Sequence, residues 1–148
     1  MVEITSFEVI LRLVLSIGLG AMIGYEREVS HKPAGLRTNM LVCLGACLFT
    51  VTTLTSLPTS TNILGGILTG IGFIGAGSII ATSGHVQGLT TAATLWVVAS
   101  VGFASGTGNY VLAIVAALLI FIILQIKKAE QKYKENRYKF RRIIPLKS

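Results

Sequence analysis

At 148 residues the chain has the length of one domain, yet only 13% of it is charged and 52% is apolar, against about 25% charged in a soluble domain. The formal net charge of +7 is a property of the tail: nine basic residues from Lys127 onward face only Glu130 and Glu135, while Arg12, Arg27, Lys32 and Arg37 upstream are balanced by Glu3, Glu8, Glu26 and Glu28. Between Arg37 and Lys127 there is no charged side chain at all. These figures argue against a soluble helical core, whose helices need a charged face, and against a nucleic-acid-binding surface over the whole protein.

Uncharged runs of about 18 or more residues read as spanning helices, because about 20 residues at ~1.5 Å each cross ~30 Å of hydrocarbon. The expectation is an all-α polytopic membrane protein with about five transmembrane helices in residues 1–126, followed by a basic cytoplasmic tail over 127–148. The first helix is expected over 7–25. It is too long for a secretory signal and lacks a basic region ahead of it. Glu8 and Arg12 stand four apart in the order that lets them pair near the outer interface; a buried Arg12 is the alternative. The stretch Tyr25–Asn39 then reads as a polar loop carrying Glu26, Arg27, Glu28, His31, Lys32 and Arg37.

The second helix is expected over 36–57, ended by Pro58. Cys43 and Cys47 lie within it, four apart on one helix, where they are poorly placed for a disulfide and read as small packing residues. The third helix is expected over 62–81, the fourth over 89–104 and the fifth over 109–126, with a tight turn at Gly106–Asn109. Lys and Arg favour cytoplasmic connections. The loop with Arg27, Lys32 and Arg37 is basic, whereas Pro58–Thr61 and Ser105–Asn109 carry no charge. Five spans place that loop and the tail on the cytoplasmic side and the N-terminus outside. The tail is expected to extend the last helix and to meet anionic lipid heads, with partner or RNA binding as alternatives.

Gly70-Ile-Gly-Phe-Ile-Gly75 matches the dinucleotide-binding spacing, but the chain has no Asp and no Glu between Glu28 and Glu130, so the acidic ribose partner of that motif is missing. Gly65, Gly66, Gly70, Gly72, Gly75 and Gly77 instead read as a helix closely approached by its neighbours, or as one broken at a binding site. Gly20–Gly24, Gly66–Gly70 and Gly102–Gly106 each have the small-xxx-small spacing, which suits packing within the bundle or a homo-oligomer.

Gly35-Leu-Arg-Thr-Asn-Met-Leu resembles Gly88-Leu-Thr-Thr-Ala-Ala-Thr-Leu, and Ile17–Ala21 resembles Ile71–Ala76 with one insertion. This is readable as a parallel repeat of two hairpins plus a fifth helix, or as coincidence among small letters. If the repeat holds, two helix N-termini face one aqueous side. With Arg37, Thr38, Thr90 and Thr91 they make a candidate anion site. The competing reading is that Glu26 or Glu28 simply pairs with Arg37.

Glu26-Arg-Glu28, Pro33-Ala-Gly-Leu-Arg-Thr38, Gly70-Ile-Gly-Phe-Ile-Gly-Ala-Gly77 and Gly88-Leu-Thr-Thr-Ala-Ala-Thr-Leu-Trp96 together resemble the MgtC/SapB family of bacterial inner-membrane proteins. The resemblance covers about residues 7–126. It implies a five-helix bundle in the inner membrane, a link to growth in low magnesium and to survival inside host cells, and an accessory role toward other transport proteins such as ATP synthase or cation ATPases. Better-studied members carry a C-terminal ACT-like domain where a short basic tail stands here. They also have basic residues in the third-to-fourth connection, where His85 is the one ionisable group of Thr82–Gln87.

Three functions follow. The first is an accessory protein that modulates a membrane partner. The alternative is a carrier of Mg²⁺, a hard cation held by carboxylate and water oxygens, for which Glu26 and Glu28 are the only candidate ligands. The third is transport of a small anionic solute. Neither a cofactor nor catalysis is expected, since no nucleophile–base pair or metal-ligand spacing occurs.

Overall fold

The computed structural model describes residues 4–56, 63–82 and 85–143. Five helices and one short hairpin follow in the order α1 (Ser6–Val29), α2 (Leu36–Ser56), α3 (Ile63–Gly77), β1 (Ile80–Thr82), β2 (His85–Gln87), α4 (Leu89–Gly106) and α5 (Tyr110–Ile143). The chain is a helical membrane protein. By length and composition α1, α2 and α4 are able to cross a bilayer, and Gly65–Gly77 and Tyr110–Ile126 are shorter apolar helices. Glu3, the Pro58–Thr61 connection, the helix start at Asn62 and the end of the tail lie outside the described residues, as do the side chains beyond Ile126.

Several boundaries differ from expectation, each for a local reason. α1 runs on to Val29 rather than ending at Tyr25, so Glu26, Arg27 and Glu28 stand on its last turns and not in a loop. Its end is a Schellman turn: Lys32 N–H donates to Arg27 O, His31 N–H donates to Glu28 O, and His31 takes the left-handed φ of 51°. At the other end Thr5 and Glu8 form a reciprocal capping box. Glu8 is therefore turned toward the Thr5 amide at 3.1 Å and not toward Arg12.

The third helix stops at Gly77, not Ala81. Ser78 N–H and Oγ both donate to Gly75 O and close the last turn. The β-branched residues beyond it then pair in an antiparallel hairpin, Ile80 with Gln87 and Ala81 with Val86. Among the described residues this hairpin is the one departure from an all-α fold. Gly88 ends it in the left-handed region at φ 89°, with a Cβ there overlapping Ser78 O; no other residue fits both conditions. α4 continues to Gly106 and α5 continues past Ile126 to Ile143.

α4 is the hub, packing on α1, α2, α3 and α5, while α1 pairs with α2. Small residues set these distances. A Cβ on Gly24 would lie 2.8 Å from Leu36 Cα and O, and one on Gly20 2.8 Å from Asn39 O. On α4, Gly102 abuts Cys43 O, and a Cβ on Gly106 would lie 2.6 Å from Thr50 Cβ. Such contact lets backbones approach where lipid supplies no hydrophobic force between helices. Around them Ile23, Cys43, Val98, Val101 and Ala104 meet the stripe Ala113, Ala117, Ile120 and Leu124 of α5.

The two hairpins share one contact: Gly20 faces Asn39 and Met40, and Gly75 faces Ala92, positions equivalent in the proposed repeat. They differ elsewhere. α1 lies along α4, whereas α3 scarcely touches α2. The gap between α2 and α3 is an apolar groove of about 670 Å³, walled by residues such as Val42, Gly45, Phe49, Gly66, Gly70 and Ile74.

Candidate functional site

Polar side chains inside this bundle are few, and burial makes each of them costly unless partnered. Where α1 meets the start of α4, Glu26 and Arg27 are 3% and 4% exposed. Arg27 Nη1 lies 3.8 Å from Glu26 Oε2. Ser30 Oγ donates to Glu26 Oε1 at 2.7 Å, and Arg27 Nη2 donates to Thr91 Oγ1 at 3.4 Å. The helical extension of α1 makes this possible, since it carries both charges inward on a rigid element. Thr91 reaches them because α4 begins beside the hairpin.

Glu28, two residues beyond Glu26 and so on α1's opposite, exposed side, has a different task. Its Oε2 accepts from Leu36 N–H at 2.9 Å, placing negative charge at the N-terminus of α2. A Cβ on Gly35 would strike this carboxylate, which explains the glycine. The expected pairing of Glu26 or Glu28 with Arg37 is thus replaced: Glu26 turns to Arg27 and Ser30, Glu28 caps α2, and Arg37 is exposed. Asn39, fully buried, donates from Nδ2 to Ala34 O at 2.9 Å and Gly35 O at 2.8 Å, tying the loop to α2.

The remaining expected site residues scatter. Thr38 is half-buried, and Thr90 is exposed with its carbonyl accepting from Thr94 Oγ1. The candidate anion site of Arg37, Thr38, Thr90 and Thr91 is therefore not assembled; Thr91 turns to Arg27. Gly75 packs on Ala92, whereas Gly72 and Gly77 have nothing within 4 Å. The α3 helix is unbroken from Ile63 to Gly77. Trp96 is about half exposed on α4. Among the described residues no three His, Cys, Asp or Glu side chains are grouped as metal ligands.

Six buried polar residues fell outside the expected site set; the hydroxyls of Ser16, Thr50, Thr94 and Ser105 donate to carbonyls of their own helices, which leaves Asn39 and Arg12. Arg12 is 8% exposed and donates from Nη1 to Gly106 O at 2.8 Å, across the bundle at the far end of α1. The signal for both was present, as lone polar letters within apolar runs.

A bundle of apolar helices locked by glycine contacts, with a buried Glu26–Arg27 ion pair where α1 meets the start of α4, defines a polytopic helical membrane protein. The model of the MgtC family matches residues 13–133, and the chain belongs to that family. It is 41% identical to Protein MgtC of Salmonella typhimurium over 128 residues, 85% of this chain and 55% of that protein. It is 47% identical to Protein MgtC of Brucella abortus over 107 residues, 71% and 45% of the two chains. To YhiD of Escherichia coli K12, whose name proposes a magnesium transporter, it is 36% identical over 129 residues, 80% of this chain and 60% of YhiD. The chain spans about half the length of the curated relatives it matches. No solved structure matches it.

Proposed function

We propose that the chain is an inner-membrane accessory protein that docks on and modulates a membrane partner, linked to growth at low magnesium and to survival inside host cells, without catalysis or a cofactor of its own. The observation that carries this reading is the side of α3 turned away from α4. Gly66 and Gly70 have nothing within 4 Å and border the α2–α3 groove. The same spacing in Gly20–Gly24 and Gly102–Gly106 is used up inside the bundle. A transmembrane helix of a partner, or of a second copy, gains close backbone contact there. Family resemblance makes ATP synthase or a cation ATPase the first partner to try. The basic loop and the tail face the cytoplasm in this reading and the N-terminus lies outside.

Transport of Mg²⁺ or another solute is the second reading, favoured by the name of YhiD. Against it, the two candidate carboxylates are both engaged, Glu26 with Arg27 and Ser30 and Glu28 with the α2 amide. The two readings part in liposomes. The accessory reading expects no Mg²⁺ flux from the chain alone. It also expects a changed rate of proton-driven ATP synthesis when the chain is co-reconstituted with ATP synthase, lost on Gly70→Leu. Mg²⁺ flux by the chain alone that Glu26→Gln abolishes would establish transport instead.

A further inference from the structure

We propose that Arg12 and the first turn of α5 form a binding site for a phosphate group, at the rim of the bundle remote from the Glu26–Arg27 pair. Fourteen residues of α1 separate Arg12 from Glu26, about 21 Å along a helix axis, so the two sites belong to opposite membrane faces.

Arg12 is a buried cation, and among the described residues no carboxylate forms an ion pair with it. Among the described residues its one hydrogen bond is Nη1 to Gly106 O, and its buried Nε has no acceptor. Glu8, one turn earlier, is held by the Thr5 amide in the capping box. The carbonyl at the end of α4 offsets part of the charge through the helix dipole, but a carbonyl is not an anion, and a buried cation without one is unfavourable.

The second nitrogen of the fork, Nη2, lies over Gly108, 2.9 Å from where a Cβ would stand. The missing side chain is what admits this nitrogen against the Gly108 backbone. Gly108 holds φ 81°, and α5 starts two residues later. Tyr110 N–H is taken by Gly108 O and Leu112 N–H by Asn109 Oδ1 at 3.3 Å. Val111 N–H lies between them in the first turn, with no carbonyl four residues back to receive it inside the helix. A helix N-terminus and an unpaired guanidinium edge thus converge on one turn, and both favour an oxyanion. Two oxygens of a tetrahedral phosphate are spaced to accept from an arginine fork bidentately. A phospholipid head at the membrane surface and dissolved phosphate supply the same chemistry.

The test uses the full chain in maltoside detergent, with unfolding temperature followed against three probes: short-chain phosphatidylglycerol, inorganic phosphate, and a diacylglycerol of equal chain length. At least one phosphate probe should bind wild type at least tenfold more tightly than Arg12→Gln, with Arg12→Lys between, while diacylglycerol distinguishes none of them. Response to phosphatidylglycerol alone identifies a lipid head, and response to inorganic phosphate identifies a dissolved anion. Equal binding of phosphatidylglycerol and diacylglycerol, or no change in Arg12→Gln, overturns the site. Should Arg12→Gln fail to fold, ¹⁵N spectra of the wild-type guanidinium decide. The Arg12 Nε resonance must move with a phosphate probe and not with diacylglycerol, and a still resonance refutes the proposal.

Discussion

Replacing Gly24 with alanine tests the claim that backbone contact, rather than side-chain burial, sets the α1–α2 distance. The added Cβ would stand 2.8 Å from both Leu36 Cα and Leu36 O, and 3.0 Å from Asn39 Cβ. Two of those three atoms are backbone, so no side-chain rotation relieves the clash and the helices must separate. Overpacking of this kind costs about 1–3 kcal/mol, while alanine's better helix propensity returns about 0.8–1 kcal/mol. The net expectation is a loss of roughly 0–2 kcal/mol. Gly18, six residues earlier on the same helix, has nothing within 4 Å, so Gly18→Ala keeps only the propensity gain of about 0.8–1 kcal/mol. Unfolding by added sodium dodecyl sulfate in mixed micelles, followed by helical circular dichroism, compares the two directly. Gly18→Ala should raise the midpoint and Gly24→Ala should not. Equal shifts would refute the reasoning.

His31→Gly should stabilise the protein by about 1 kcal/mol, since His31 holds a left-handed φ of 51° that glycine adopts without steric penalty; the same detergent titration measures it. Arg27→Met leaves the Glu26 carboxylate, 3% exposed, without its cation and should cost about 3–5 kcal/mol. Adding Glu26→Gln should recover part of that loss, and a double-mutant cycle with no coupling between the two would count against the pair. Glu28→Ala removes the acceptor of Leu36 N–H and should cost about 0.5–2 kcal/mol, with faster amide exchange confined to the first turn of α2.

Charge and hydropathy alone specified that this chain is a bundle of membrane helices, because a segment with no Lys, Arg, Asp or Glu from Thr38 to Ile126 has no other stable solvent. They also located the charged motif residues at positions 26–37, since a charged side chain in such a chain favours the rims, while positions 88–91 were found by their likeness to Gly35-Leu-Arg-Thr38. Partnership among those residues was decided only by tertiary structure. Whether Glu26 meets Arg37 or Arg27 depends on where α1 ends, and that is set by a left-handed residue, His31, that no periodicity signals. The hairpin at Ile80–Gln87 was equally illegible: two strands of three residues lie beneath the length at which alternation can be read.

Glycine illustrates the division most plainly. Gly20–Gly24, Gly66–Gly70 and Gly102–Gly106 are the same pattern in sequence, yet Gly20, Gly24, Gly102 and Gly106 press on backbone while Gly66 and Gly70 stand open. The letters fix that a helix can be approached. What approaches it depends on the chain's path, because a missing Cβ is a capacity for contact and the neighbour that uses it is brought by residues far away in sequence.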